Sequence, residues 1–173
     1  MTADQSPVVR FADIDAPPLE ALLERYDLAL ERVPDHATIP ASFWGDEEAG
    51  ISGNRVYVRG DTPVHSVLHE AAHVICMSPD RRANLHRDAG GTDLEESAVC
   101  YLEILLASEI AEVGSDRLMQ DMDRWGYSFR LGSTRRWFEE DAEDARAFLR
   151  GHGIIDSNGR LTGRCRGEAA SPC

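Results

Sequence analysis

Apolar residues recur with the period of an α-helix in several stretches of the chain. The most regular stretch is VHSVLHEAAHVICM (64–77), where Asp61 or Thr62 can cap the helix and Pro63 suits its first turn. One face of this stretch is an apolar stripe, which predicts a helix packed against a core: Val64, Val67, Leu68, Ala71, Ile75. The same period predicts helices over 17–33, 93–113, 115–125 and 133–150, and a helical turn over 78–85.

Two shorter stretches favour strands. The β-branched and aromatic residues of NRVYVRG (54–60) and ATIPASFW (37–44) suit a sheet, and the glycine-rich EAGISGN (48–54) between them predicts a turn. Asn158-Gly159 predicts a tight turn near the end of the chain. These elements together predict a small α+β domain, mostly helical, with a short sheet beside the central helix.

The length and the distribution of these elements predict one domain. A chain of 173 residues suits a single compact core. We expect residues 1–16 to be a flexible lead-in, residues 17–163 to form the domain, and residues 164–173 to be a disordered tail.

The net charge of the chain argues against two classes of binding partner. The net charge is -13 and the pI is about 4.8, so the surface repels phosphate backbones and anionic lipid headgroups. We therefore expect no nucleic-acid partner and no membrane partner.

The start of the chain carries no signal-peptide pattern, and no apolar run is long enough to span a bilayer, so a cytoplasmic protein is expected. Free thiols are then expected, but the sequence does not decide whether Cys165 and Cys173 pair, nor the oligomeric state.

The central helix carries a pattern with chemical meaning, because its residues 69–73 are HEAAH. Positions i and i+4 of a helix differ by about 40° around the axis and by about 6 Å along it, so His69 and His73 project side by side. Two imidazole nitrogens placed in this way can bind one metal ion. Glu70 lies about 100° further round the helix, where it can take a proton from an attacking water molecule.

The third metal ligand is expected from the start of the next long helix, where TDLEESAVCYLE offers three carboxylates. Glu95 shares its face with apolar residues that should meet the central helix, and a buried carboxylate needs a cation as partner. We therefore favour Glu95, with Glu96 as the alternate ligand and Asp93 as the third choice. The opposing interpretation is that these acidic residues only favour a helix N-terminus.

HEAAH, followed 22 residues later by EESA, resembles the gluzincin branch of the zincin metallopeptidases. The resemblance covers residues 52–107. It implies that His69, His73 and Glu95 bind zinc and that Glu70 is the general base of a zinc hydrolase that cleaves an amide bond in a peptide or protein. It also implies a zincin-like domain whose edge strand, NRVYVRG, aligns an extended peptide. The residue four places after Glu95 is Val99, where the family often has Asp or Asn.

A second, weaker resemblance leads to another chemistry. NRVYVRGDTPVHSVLHEAAHVIC is similar to the corresponding stretch of bacterial elongation factor P hydroxylases, which implies iron and oxygen in the same cage and a lysine side chain as substrate. Two histidines and a carboxylate suit iron(II) as well as zinc. A third interpretation is a zincin fold that has lost catalysis and serves as a binding module, against which the intact Glu70 argues.

A group that stabilises the oxyanion is expected near such a site. The candidates are His86, Tyr127 and Arg130. Tyr127 and Arg130 belong to RWGYSFRLGSTRRWF, where aromatic residues alternate with arginines as in a substrate wall. The alternative interpretation of this segment is a small sealed core whose arginines balance an acidic surface.

Overall fold

The computed structural model describes residues 7–168, and in this range seven α-helices pack around a three-stranded sheet. The helices are α1 (Ala16–Glu24), α2 (Val64–Cys76), α3 (Pro79–Ala83), α4 (Asp93–Ala107), α5 (Gly114–Trp125), α6 (Thr134–Glu140) and α7 (Glu143–Gly151). The strands are β1 (Ala29–Arg32), β2 (Gly50–Ser52) and β3 (Arg55–Val58). The predicted small, mostly helical α+β domain is therefore confirmed.

The centre of the domain is the pair formed by α2 and α4. Every residue of α2 except His69 is buried, and α2 packs against β3 on one side and along α4 on the other. α4 also contacts α5 and α7, which close the far side of the core. The predicted cap of α2 does not form, because the hydroxyl of Thr62 accepts a hydrogen bond from the backbone N–H of Arg59 instead. No helix within residues 7–168 has the length and hydropathy needed to cross a membrane.

Three predicted helices are shorter or divided. The helix predicted over 17–33 ends at Glu24, because the chain turns at Asp27, which has a positive φ of 58°, and residues 29–32 then join the sheet. The helix predicted over 133–150 breaks at residues 141–142 into α6 and α7. α4 stops at Ala107, six residues before the predicted end. In each case apolar spacing continues through a turn, which is why the period alone overestimates the helix.

The strand order differs from the prediction. NRVYVRG forms β3, but β3 is the central strand, parallel to β1 and antiparallel to β2. The expectation that it is an edge strand for an extended peptide is therefore wrong. The second strand lies in the predicted glycine-rich turn rather than in 37–44, because Gly50 allows a backbone approach that a side chain would block: a Cβ there would lie 1.8 Å from the carbonyl oxygen of Pro40.

The outer side of β2 is closed by loops. The backbone N–H of Ile51 donates to the carbonyl of Ala41 at 3.2 Å, and the carbonyl of Ile51 accepts from Arg87 at 2.8 Å. The N–H of Gly53 donates to the carbonyl of Leu85 at 3.1 Å. The backbone groups that an added strand would use on this edge are thus already bonded.

Both terminal segments contribute to the packed domain, unlike the predicted lead-in and tail. Val8 and Phe11 are buried, and the N–H of Phe11 donates to the carbonyl of Thr62. At the other end, the N–H of Arg166 donates to the carbonyl of Ile75, at the end of α2. Short apolar segments without a period gave no signal for this packing. Cys165 is a buried free thiol, whereas Cys173, residues 1–6 and the rest of 169–173 lie outside the described range.

Candidate metal site

Two histidines of α2 direct ring nitrogens to the same point. His69 and His73 lie four residues apart and therefore on one face of the helix. Their Nε2 atoms are 3.1 Å apart, and their rings are almost perpendicular. The side chains retain only 13% and 10% of their exposure, so both nitrogens meet at the floor of a depression rather than on an open surface.

The carboxylate that meets these nitrogens belongs to Glu96, in the first turn of α4. One of its oxygens lies 3.1 Å from Nε2 of His69, and the other lies 3.3 Å from Nε2 of His73. The hydroxyl of Thr92 accepts a hydrogen bond from the N–H of Glu95, which caps α4 and fixes the turn that carries Glu96. Packing of α4 along α2 thus brings a carboxylate to both histidines.

The spacing of these three donors fits a metal ion. A tetrahedral ion with bonds of about 2.0–2.1 Å holds its ligand atoms about 3.3 Å apart. Nε2 of His69 lies 3.1 Å from Nε2 of His73 and 3.1 Å from one oxygen of Glu96, and the other oxygen lies 3.3 Å from Nε2 of His73. Two imidazole nitrogens and a carboxylate form a donor set that zinc and iron(II) both accept. His69, His73 and Glu96 could therefore hold a divalent ion.

Cys100 adds a fourth potential donor, one turn beyond Glu96 on α4. A ligand atom from each of His69, Glu96 and Cys100 lies within 4.8 Å of the other two, so this group could also hold an ion. His73 is the better third donor, because its Nε2 lies 3.1 Å from Nε2 of His69 and 3.3 Å from one oxygen of Glu96. Burial raises the pKa of the Cys100 thiol to about 11, which favours a protonated, neutral neighbour of the site.

The structure does not bring Glu95, the favoured third ligand, to the histidines. Glu95 is buried as predicted, but its Oε1 accepts hydrogen bonds from Arg81 at 2.8 Å and from Arg166 at 3.2 Å. The physical premise was correct, since a buried carboxylate does need a cation, but two guanidinium groups supply it. Asp93 is exposed at the start of α4. The alternate candidate, Glu96, is the carboxylate at the site.

A residue that the sequence did not single out supports His69 from behind. Glu103 is fully buried, and its Oε1 lies 3.4 Å from Nδ1 of His69, the ring nitrogen that faces away from Glu96. Burial raises the pKa of Glu103 to about 7. A carboxylate in this position orients the ring and selects which nitrogen is free to bind a metal. The available signal was a glutamate in the apolar run LEILLA, seven residues after Glu96 and on the same helix face.

The site favours a positive charge at His69. Burial lowers the pKa of this imidazole, but Tyr127 and Glu103 outweigh the burial and raise it well above its ordinary value. For His73, burial and the neighbouring His69 lower the pKa to about 4. A positive charge is therefore favoured between the carboxylates, and a proton on His69 or a bound cation can supply it.

Glu70 lies beside this cluster and faces open space. It is 6% exposed, and within residues 7–168 no hydrogen bond or ion pair to its carboxylate is seen, although it borders two clefts. Burial raises its pKa to about 7, helped by the nearby Glu48 and Glu96 and opposed by His69. A carboxylate with a raised pKa is a better proton acceptor than a solvated one, which suits the predicted role of a general base.

Two clefts meet at the donors. The larger, of about 410 Å³, is lined by His69, Glu70 and Glu96 together with an aromatic and polar wall formed by Trp44, Glu48, Ser66, Trp125, Gly126 and Tyr127. The smaller, of about 190 Å³, is lined by the same three residues with His73, Phe43, Trp44 and residues 87–90. Trp44 borders both clefts and is 70% exposed. A substrate could therefore cross the site from one cleft to the other.

Of the three candidates for oxyanion stabilisation, Tyr127 alone borders a cleft at the site. Its ring lies 6.0 Å from that of His69, and its hydroxyl contacts Nδ1 of buried His65 at 3.5 Å. Arg130 is exposed and forms an ion pair with Asp141. His86 is exposed, and its Nδ1 lies 3.1 Å from the hydroxyl of Ser52. The aromatic part of this segment also packs as a core, since Phe129 stacks on buried Trp137.

A third cavity, larger than both clefts, lies elsewhere in the domain and has a different lining. It measures about 520 Å³ and is lined by arginines and aspartates, among which Arg59 and Asp61 form a bidentate pair. None of the metal-donor residues borders it.

The chain matches no protein-family model, no curated protein and no solved structure. Its function must therefore be inferred from the geometry around His69.

Proposed function

We propose that the protein is a metal-dependent hydrolase that cleaves an amide bond. His69, His73 and Glu96 would hold a divalent ion, with zinc as the expected metal. An ion held by three protein donors keeps an open position, where it polarises a carbonyl group and acidifies water. The observation that carries the proposal is the carboxylate of Glu96 within 3.3 Å of both Nε2 atoms, with the unbonded Glu70 beside them.

Glu70 has the role of proton carrier in this reaction. It takes a proton from the attacking water as the C–O bond forms at the carbonyl carbon, and it returns the proton to the leaving nitrogen as the C–N bond breaks. Water and amide are consumed, and a carboxylic acid and an amine are released.

Two further residues complete the machinery. Tyr127 can donate its phenolic hydrogen to the oxygen that becomes negative when water adds, because it borders the cleft beside His69. Glu103 accepts from Nδ1–H of His69 and so leaves Nε2 as the donor atom. Both act without moving far from the positions that the fold gives them.

Glu70→Gln tests the proposal directly. The substitution keeps the volume and removes the base, so the metal content should stay at about one equivalent while amide hydrolysis falls by about 10²-fold or more. Metal is measured on protein purified without added metal, and hydrolysis is measured with a panel of short amide substrates. Glu47→Gln is the matched control, because Glu47 pairs with Arg10 outside the clefts.

The same measurements separate the alternatives. Zinc with turnover that depends on Glu70 supports hydrolysis, whereas iron with oxygen consumption supports the hydroxylase. A protein that binds neither metal, or a Glu70→Gln variant that retains full turnover, would overturn the proposal.

A further inference from the structure

The larger cleft beside the metal donors has walls that suit an organic cation, and we infer that it binds a protonated or alkylated amine of the substrate. This inference rests on the proposed function, because it assigns the substrate class of the same site. Three observations carry it: aromatic side chains that border the cleft, a carboxylate in its wall that only neutral groups contact, and the lack of any arginine in its lining.

The aromatic side chains come from two segments of the chain. Trp44 lies in the loop before β2, Trp125 ends α5, and Tyr127 follows it. Trp44 leaves 70% of its surface open at the mouth of the cleft, an unusual exposure for the largest apolar side chain. The negative face of an indole or phenol ring attracts a cation within about 6 Å, and quaternary ammonium groups are recognised in this way.

The carboxylate of Glu48 provides the charge. Its Oε1 accepts from the indole N–H of Trp125 at 2.8 Å, and its Oε2 accepts from the hydroxyl of Ser66 at 2.5 Å. The hydroxyl of Ser66 is itself held by the N–H of Ala49 at 2.9 Å. All of these donors are neutral, so they fix the position of the carboxylate without balancing its charge. Within residues 7–168, no ion pair to Glu48 is seen.

No arginine lines the cleft, and His69, at the metal donors, is the one described lining residue that can carry a positive charge. All 18 basic residues of the chain are arginines, and none of them lines this cleft. Arg10 already lies over the ring of Trp125, 5.9 Å from its centroid, and it also pairs with Glu47 and donates to the carbonyl of Asp61, so a substrate cation must use the exposed Trp44 rather than this face of Trp125. Glu70 adds a second carboxylate to the lining. A substrate cation beside Glu48 would therefore meet carboxylates that no arginine neutralises, while the charge at His69 would keep it at the Glu48 side of the cleft.

The smaller cleft differs in charge, which gives the substrate a direction. Arg87 and Asp88 border it, so its lining combines both signs. The amine of the substrate should therefore occupy the larger cleft, between Glu48 and the aromatic rings, while the reacting carbonyl lies at the metal donors.

Tetramethylammonium tests the inference without involving the metal, because it has no lone pair to ligate an ion. The indole N–H resonance of Trp125, assigned with Trp125→Phe, is the reporter, since this N–H donates to Glu48. Titration at constant ionic strength should shift this resonance in a saturable way. The neutral near-isostere tert-butanol should shift it much less. Equal responses to both probes would overturn the inference.

Two variants locate the binding. Glu48→Gln keeps a hydrogen-bond acceptor but removes the charge, so tetramethylammonium binding should weaken roughly five- to tenfold. Trp44→Ala, at an exposed position that packing does not need, should weaken binding by a similar factor through loss of the ring. Glu47→Gln is the matched control and should bind as the parent protein does. Loss in Glu47→Gln equal to that in Glu48→Gln would contradict the assignment.

The titration is repeated on metal-free and zinc-loaded protein so that the two proposals can fail separately. If no metal binds but the cation still requires Glu48, the proposed hydrolase fails and the cation site stands. If zinc binds and supports turnover but tetramethylammonium does not perturb Trp125, the hydrolase stands and the cation site is overturned.

Discussion

Two adjacent glutamates of α4 have opposite surroundings. Glu95 is buried against Arg81 and Arg166, whereas Glu96 is half exposed and meets both histidines. Neighbouring residues of a helix point about 100° apart around its axis. Glu95 therefore faces the two arginines, while Glu96 faces the two histidines. The sequence indicates that one of the two glutamates faces α2. Which of them does so depends on the positions of α3 and the C-terminal segment, which the sequence does not give.

Separate replacements of these residues should give opposite results. Glu96→Gln should lose the metal with little change in the metal-free melting temperature, because its carboxylate is a donor and not part of the core. Glu95→Gln should keep about one equivalent of metal but lose about 1–3 kcal/mol of unfolding free energy, since two guanidinium groups lose their charged acceptor. Metal analysis and denaturant melts of the two proteins decide the matter, and a reversed pattern would return Glu95 to the site.

Glu103 should affect the metal through His69. Glu103→Ala should weaken metal affinity by about 10–100-fold, as is usual when the partner of a ligating histidine is removed. Glu103→Gln should lie between this variant and the parent, because an amide oxygen can still accept from Nδ1–H. Competition with a chelator measures the affinity. Glu109→Gln, an exposed glutamate that pairs with Arg25, should leave it unchanged.

Among the elements, the long periodic helices and β3 could be predicted, whereas β1 and β2 could not. α2, α4 and α5 have apolar faces that persist over several turns, so the sequence locates them. β1 was predicted as part of a helix, because a strand of four residues has too few positions to establish its own period. The two candidate histidine donors followed from the HEAAH pattern and Glu96 was only the alternate carboxylate, whereas Glu48 and Trp44 joined the site through loops whose course no period describes.

The C-terminal segment should behave as part of the core rather than as a tail. Arg166 donates to Glu95 and to the carbonyl of Cys76, and its own carbonyl accepts from Arg82. Arg166→Ala should therefore cost about 1–3 kcal/mol of unfolding free energy, as expected for partners left unsatisfied. Arg164→Ala is the control from the same segment and should cost much less. Equal destabilisation by both variants would argue against this anchor.

At the scale of the whole domain, the candidate site connects the two central helices, α2 and α4. His69 and His73 belong to α2 and Glu96 belongs to α4, so a bound ion links elements that are far apart in the sequence. An ion that binds only the folded state stabilises it by about 2.7 kcal/mol at a free concentration of 100 times its Kd.

Removal of the metal should therefore lower the melting temperature. For a chain of this length the expected loss is about 5–10 °C at that saturation. Added zinc should restore the transition of the parent protein in a concentration-dependent manner and should leave Glu96→Gln unchanged. A parent protein that melts at the same temperature with and without zinc would show that the donors do not bind it.

The closed outer edge of β2 limits what such an enzyme can act on. The backbone N–H groups of Ile51 and Gly53 already donate hydrogen bonds to neighbouring loops, and the loop bonded to Ile51 also borders the smaller cleft. A long polypeptide finds few free main-chain groups along this edge, so we expect the proposed hydrolase to recognise end groups and side chains. Small amides and accessible chain termini should be turned over, and unfolded proteins should remain intact when incubated with the metal-loaded enzyme.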